Sequence, residues 1–403
     1  MRGTTQFKDD ATVCRWWPNK YNLGSLSRRR ERCLLETSFV KLLSRPWPSP
    51  PPSHQYQVLV SIMAHFKAKL AVLLLAGSAL AQKPAETAEV RPLLPTWKCT
   101  NSGGCVKQNT SVVLDFEYRD VHVAGGKATC KTGNKLIQSQ CPNAATCATN
   151  CVVEPADYRA MGVSTSGNAL TMYHYVKDST GKLFNASPRV YLLDETKGEY
   201  VMMSLLGKEL TVDVDLSTLP CGENGAFYLS EMVADGSKNP GQYNINGARM
   251  GNGYCDAQCQ GYCCNEMDIL EANSQANVFT GHPCKGDNCD KGGCGYNPYS
   301  SGQRNFYGPG KTIDTSKPFT AVTQFVASGG KLTQITRKYI QNGRTTNSPG
   351  SITGCGSESG TGGLGGMGAA LDRGSEFPLL MTSVTSSCAD PYANSGSRHE
   401  HLE

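Results

Sequence analysis

Along much of the chain, apolar residues recur at every second position in short runs separated by Gly, Asn, Ser and Pro. The clearest run is 209–216, where Leu210, Val212, Val214 and Leu216 alternate with Thr211, Asp213 and Asp215. A period of two is that of a strand with one buried face. The runs 111–118, 169–176, 189–193 and 319–326 are likewise rich in β-branched and aromatic residues and bounded by turn formers. No strong helical period interrupts this texture between Trp97 and about Ala370. Many short strands without crossover helices predict an all-β fold, with two sheets packed as a sandwich. There is no internal repeat and no Ser/Thr/Pro-rich linker after the strands.

The first 62 residues break the pattern. They carry the basic run Arg28-Arg29-Arg30-Glu31-Arg32 and a proline-rich stretch from Pro46 to Pro52. From Met63 the chain reads as a basic segment, then an apolar run from Leu70, then a small-residue end at Ala81. That is the order of a secretory signal peptide, with cleavage expected between Ala81 and Gln82. Its apolar core is shorter than the ~20 residues of a membrane span. Residues 1–62 are therefore read as a spurious extension, 63–81 as the signal and 82 onward as the mature, secreted chain.

Cysteine and charge sharpen this reading. Of 18 Cys, sixteen follow the expected cleavage site, an even set that implies disulfides formed in an oxidising compartment. Zinc is disfavoured, because no Cys-x-x-Cys pairs recur at finger spacing and His residues are few. Sequons at Asn109 and Asn185 fit a secreted protein. The formal net charge of +5 comes from residues 1–81, which hold 12 Lys/Arg against 4 Asp/Glu. The remainder holds 27 against 30, so nothing points to nucleic acid.

The segment 263–273 carries the candidate chemistry: Cys263-Cys264-Asn265-Glu266-Met267-Asp268-Ile269-Leu270-Glu271-Ala272-Asn273. On a strand, Glu266 and Asp268 share a face while Met267 and Ile269 point to the core. Strict alternation puts Glu271 on the opposite face, and a bulge between 268 and 271 would return it to the acidic one. Acetal hydrolysis needs one carboxyl to protonate the leaving oxygen and a second, ionised, at the anomeric carbon. A third acid nearby raises the proton affinity of a neighbour, so groups of one type can be poised in different protonation states. Taken alone, Glu-x-Asp-x-x-Glu also describes a solvated strand face. A calcium site is a further reading, although the glycine turn and ligand spacing of an EF-hand are missing.

The same segment, 263–274, closely resembles the active-site strand of fungal glycoside hydrolase family 7, which contains cellobiohydrolases and endo-1,4-β-glucanases. Further resemblances lie at 97–105, 162–170, 219–226, 253–259, 294–299, 306–310 and 337–343, so the likeness spans 82–374. It implies a β-jelly-roll sandwich with a long glucan cleft, retaining hydrolysis, cellulose or a related β-1,4-glucan as partner, no cofactor or metal, no membrane and a monomer. By position in the motif, Glu266 would be the nucleophile, Glu271 the general acid/base and Asp268 the nucleophile's assistant. His282, Arg189, Tyr228, Tyr254, Asp256 and Gln258 would line the cleft as substrate-binding residues. Each has a plainer reading: His282 as a loop residue beside a disulfide, Arg189 as a surface charge, Tyr228 as core. The implied disulfides are Cys99–Cys105, Cys130–Cys151, Cys141–Cys147, Cys255–Cys264, Cys259–Cys263, Cys284–Cys289 and Cys294–Cys355, with Cys388 offered as partner to Cys221.

Only nine residues separate Cys284 from Cys294, shorter than expected of tunnel-forming members, and this favours the endoglucanase branch. Two features depart from the family. The loop between Cys259 and Cys263 has three residues, which removes some cleft wall. After Gly374 the family continues with an apolar strand bearing a sugar-stacking Trp, whereas here the only Trp after the signal is Trp97. Asp120 stands where another family Trp is frequent. Residues 375–403 are thus read as a divergent tail, and a missing strand would leave an open edge. The alternatives are a cellobiohydrolase, a non-catalytic glucan-binding jelly roll or an inactive truncated product.

Overall fold

The computed structural model describes residues 11–13, 83–84, 88–133, 135–238, 247–355, 358–373 and 379–385. The signal segment 63–81, the cleavage site, most of 1–62 and Cys388 lie outside them.

Two sheets form the body. One has the strand order Arg344–Asn347, Lys331–Gln341, Phe319–Ser328, Glu209–Val214, Ala11–Val13, Thr96–Thr100, Gly104–Gln108. The other runs Glu199–Tyr200, Val190–Asp194, Leu379–Thr385, Glu223–Ser230, Glu266–Ala272, Asn277–His282, Cys294–Tyr296, and Thr110–Leu114 adds to Val190–Asp194. The expected sandwich is present, and the 209–216 run becomes the strand Glu209–Val214 with the anticipated alternation of buried and half-buried residues.

The two sheets read differently in sequence because they are buried differently. Leu210, Val212, Phe319, Ala321, Ile335 and Tyr339 of the first pack against Val112, Leu114, Val190, Leu192, Phe227, Leu229, Met267 and Phe279 of the second. On its far face the second sheet carries another apolar cluster, in which its Val113, Tyr191, Leu193, Tyr200 and Tyr228 pack with Met232, Cys255 and Cys264. A sheet covered on both faces has continuous apolar strands, hence the fully buried Thr110–Leu114. Each fully buried aliphatic side chain contributes about 1.5–3 kcal/mol.

All seven implied disulfides form. Besides the short helices Ala144–Asn150 and Glu358–Thr361, two elements differ from the sequence expectation. Gly363–Arg373 is a helix, burying Leu364, Met367, Ala370 and Leu371 in the sandwich core. Its glycines hid it, because each lowers helix propensity by about 1 kcal/mol. Gly368 is required by packing: a Cβ there would stand 2.6 Å from Leu332 Cβ. The second is Leu379–Thr385, which pairs with Val190–Asp194 on one side and Glu223–Ser230 on the other. The divergent tail thus supplies a central strand where an open edge was expected.

Candidate active site

The strand Glu266–Ala272 lies between Glu223–Ser230 and Asn277–His282. Its register shows how three acids come to share one face. Ser230 pairs with Glu266, Tyr228 with Asp268 and Ala226 with Glu271. Residues 226, 228 and 230 are two apart and point the same way, so their three partners do too. The extra residue is absorbed between Asp268 and Glu271, where Asn277–His282 also shifts register, from Thr280 opposite Asp268 to Val278 opposite Glu271. This is the anticipated bulge. Ile269 and Leu270, the residues within it, are both buried in the sandwich core.

Each acid is held differently. Glu266 Oε2 accepts the backbone N–H of Ala257 at 3.1 Å. Ala257 lies inside the loop closed by Cys255–Cys264, within which Cys259–Cys263 is nested. The disulfides therefore fix the donor as well as the start of the strand. Burial first, and then the charge of Asp268, push the Glu266 carboxyl well above its usual range, against the pull of His282. Asp268 is buried, with His282 Nε2 at 3.0 Å from its Oδ2. The other ring nitrogen of His282, Nδ1, lies 2.8 Å from the carbonyl of Asp290. Burial works to lower the His282 pKa, but the hydrogen bond and charge of Asp268, followed by the charge of Glu266, raise it to about 10. The ring is then an imidazolium donating from both nitrogens at neutral pH. Glu271 is half-buried and accepts the side-chain amide of Asn224 at 2.9 Å.

The remaining expected cleft residues form a connected group beside the acids. Tyr228 and Tyr254 hydroxyls are 3.3 Å apart, and Tyr254 donates to Asp256 Oδ2 at 3.1 Å. Arg189 stacks over the Tyr254 ring at 3.4 Å and pairs with Asp115 at 3.0 Å. Arg189, Tyr228 and Asp256 are buried, and burial is the main influence raising the Asp256 carboxyl. Gln258 stands apart from this group, donating to the Lys291 carbonyl at 2.9 Å. In the short loop, Tyr262 packs onto the same apolar cluster as Tyr228.

Asn224, the Ala257 N–H and the Asp290 carbonyl were not singled out from sequence. Asn224 does fall inside the quoted 219–226 segment, but only the cross-strand register reveals which acid it serves.

A β-sandwich with two glutamates and an aspartate on one face, braced by an imidazolium and a constrained backbone N–H, is the arrangement of a glycoside hydrolase. The chain matches the model of glycosyl hydrolase family 7 over residues 84–261 and 260–359, and it belongs to that family. It is 51% identical over 327 residues to Endoglucanase EG-1 of Hypocrea jecorina, covering 75% of this chain and 70% of that protein. To a probable endo-beta-1,4-glucanase, celB, of Aspergillus clavatus it is 46% identical over 342 residues, covering 73% and 80%. The solved native structure of Humicola insolens endocellulase EGI superposes with a TM-score of 0.67 at 40% identity, covering 76% of this chain and 88% of that one.

Proposed function

We propose that this chain is a secreted, retaining endo-β-1,4-glucanase acting on cellulose and related β-glucans. The observation that carries the reading is the bulge between Asp268 and Glu271, which sets Glu266, Asp268 and Glu271 on one face. Relatives named as endoglucanases support the substrate class.

In this mechanism ionised Glu266 attacks the anomeric carbon while Glu271, protonated, gives its proton to the departing glycosidic oxygen. The C–O bond breaks and a glycosyl ester forms on Glu266. Glu271, now a carboxylate, takes a proton from water, which attacks the same carbon and releases Glu266. Net retention follows from two inversions and requires the two glutamates to come within about 5–5.5 Å. Asp268 holds the His282 cation beside Glu266, and that cation pulls against the burial and the Asp268 charge that push Glu266 up, so favouring the ionised form that attacks. The Asn224 amide orients Glu271.

Two measurements on soluble carboxymethyl-cellulose and a cello-oligosaccharide test the proposal. Viscosity should fall steeply relative to reducing ends released, and the first product observed by NMR should be the β-anomer. A slow viscosity loss per reducing end would assign chain-end attack instead. A first-formed α-anomer would overturn the double displacement.

A further inference from the structure

Three polar groups of Asp290 are engaged, and each bears on His282. The N–H donates to the Pro283 carbonyl at 2.9 Å, which folds residues 284–290 back beside the histidine. The carbonyl accepts His282 Nδ1 at 2.8 Å. The side chain turns the segment that follows, Oδ1 accepting the Gly293 N–H at 2.9 Å. Gly293 then lies against the imidazole, where a Cβ would stand 2.5 Å from both His282 Cε1 and Thr280 Cγ2. Its φ of +67° also requires the left-handed backbone that glycine adopts without strain.

The segment 284–294 is seated on the start of the catalytic strand. The Cys284 N–H donates to Asn265 Oδ1 at 2.7 Å, one residue before Glu266. Gln258 Nε2 donates to the Lys291 carbonyl at 2.9 Å. The Cys289 sulfur lies within 4.8 Å of the Cys259 and Cys263 sulfurs, so the Cys284–Cys289 and Cys259–Cys263 bridges pack side by side. Two disulfide-braced loops therefore meet at the nucleophile. One, 255–264, brings the Ala257 N–H to Glu266, and the other, 284–294, brings the Asp290 carbonyl to His282. His282 stands opposite Glu266 in the register and reaches Asp268 diagonally.

Resting on the glucanase reading, we infer that Asp290 is a positioning residue for the hydrolysis: its turn fixes the His282 ring against Asp268, and through that ring it keeps Glu266 in the ionised form that attacks. An imidazole with a fixed acceptor at each nitrogen is held doubly protonated and in one orientation. Burial lowers the His282 pKa, but the Asp268 hydrogen bond, the charges of Asp268 and Glu266 and then the Asp290 carbonyl raise it to about 10. The resulting cation faces Glu266. Also around Glu266 are Asp268 on its own strand, Asp256 and Tyr254 from the loop 255–264 and Tyr228 from the strand Glu223–Ser230. None of these is a cation, and Arg189 is stacked on Tyr254 and paired with Asp115. Loosening the Asp290 turn weakens or misplaces the His282 charge, so Glu266 holds its proton to higher pH.

The test follows kcat and KM against pH on a soluble cello-oligosaccharide for the full chain, Asp290→Ala and Asp290→Asn. Both variants lose the carboxylate charge, but Asn keeps an oxygen for the Gly293 N–H, so the difference between them isolates the turn. In Asp290→Ala the acid limb of kcat/KM should move up by about half to one pH unit, and kcat should fall about 3- to 10-fold with KM retained. Asp290→Asn should stay within about 2-fold of wild type, its limb unmoved. An unmoved limb in folded Asp290→Ala overturns the inference. So does an equal movement in both variants, since charge and not position would then be the cause. A raised KM with kcat and limb unchanged also overturns it and makes Asp290 a sugar contact. Should Asp290→Ala not fold, nitrogen NMR of histidine-labelled wild type, with His282 assigned through His282→Gln, decides the matter. Both ring nitrogens protonated at neutral pH supports the inference, and an unprotonated Nδ1 overturns it. Folded wild type that hydrolyses no glucan yet gives the doubly protonated spectrum overturns the glucanase reading instead.

Discussion

Asn224 donates its side-chain amide to Glu271 Oε1 at 2.9 Å, from the strand beside the acids and 47 residues earlier in the chain. The contact depends on a register in which Gly225 stands opposite Ala272. It gives a half-buried carboxyl a fixed direction toward the face it shares with Glu266.

Asn224→Ala should therefore lower kcat on soluble glucan about 5- to 30-fold, the equivalent of one hydrogen bond of about 1–2 kcal/mol. KM and the melting temperature should change little. Steady-state kinetics with a thermal melt check this, and an unaltered kcat would show that Glu271 is oriented without Asn224.

Asp268 raises the proton affinity of Glu266 by its charge, after burial itself. In Asp268→Asn that repulsion is gone and Glu266 stays ionised to lower pH. The acid limb of kcat/KM should move down by on the order of one pH unit, together with a lower maximal rate. An unmoved limb would mean that another group controls it.

His282 has its pKa raised to about 10 in the folded chain by Asp268 and Glu266. The group's contribution to stability is therefore complete below about pH 6.5, its unfolded value, and is lost as pH rises through 10. His282→Gln leaves Asp268 buried without its cation and should cost about 3–5 kcal/mol at pH 6. Denaturant titrations at pH 6 and pH 10 should show the wild-type advantage shrinking at the higher pH. A constant difference would contradict the charged pair.

The Cys255–Cys264 bridge closes the loop that carries the Ala257 N–H to Glu266. Replacing both by Ala should cost about 2–3 kcal/mol of stability by chain entropy. It should also lower kcat well beyond what the remaining folded fraction explains, since a displacement of about 1 Å can cost 100-fold. Denaturation curves combined with kinetics separate the two effects, and activity that simply tracks the folded fraction would remove the loop from catalysis.

Much of the site was legible because its logic is local. The spacing of Glu266, Asp268 and Glu271 required a bulge if all three were to act together, and the register contains it. Strands such as Glu209–Val214 were plain from alternation. What stayed hidden depends on distant partners. Asn224 reaches Glu271 only through cross-strand register. Arg337, inside the resembling segment 337–343, is fully buried, bonded to Thr323 and stacked on Phe279, partners that only the fold brings to it. The helix Gly363–Arg373 was masked by its glycines, of which Gly368 is demanded by packing against Leu332. Leu379–Thr385 lies in a stretch without the family's aromatic markers, but its β-prone residues still complete the sheet.

The most direct test of the account is hydrolysis of soluble β-1,4-glucan by the purified chain beside Glu266→Gln, with circular dichroism confirming that both are folded. Reducing ends should accumulate with the wild-type chain and fall below detection with the variant. Equal turnover by the two proteins, or none from folded wild type, would contradict the assignment of these carboxylates to glucan cleavage.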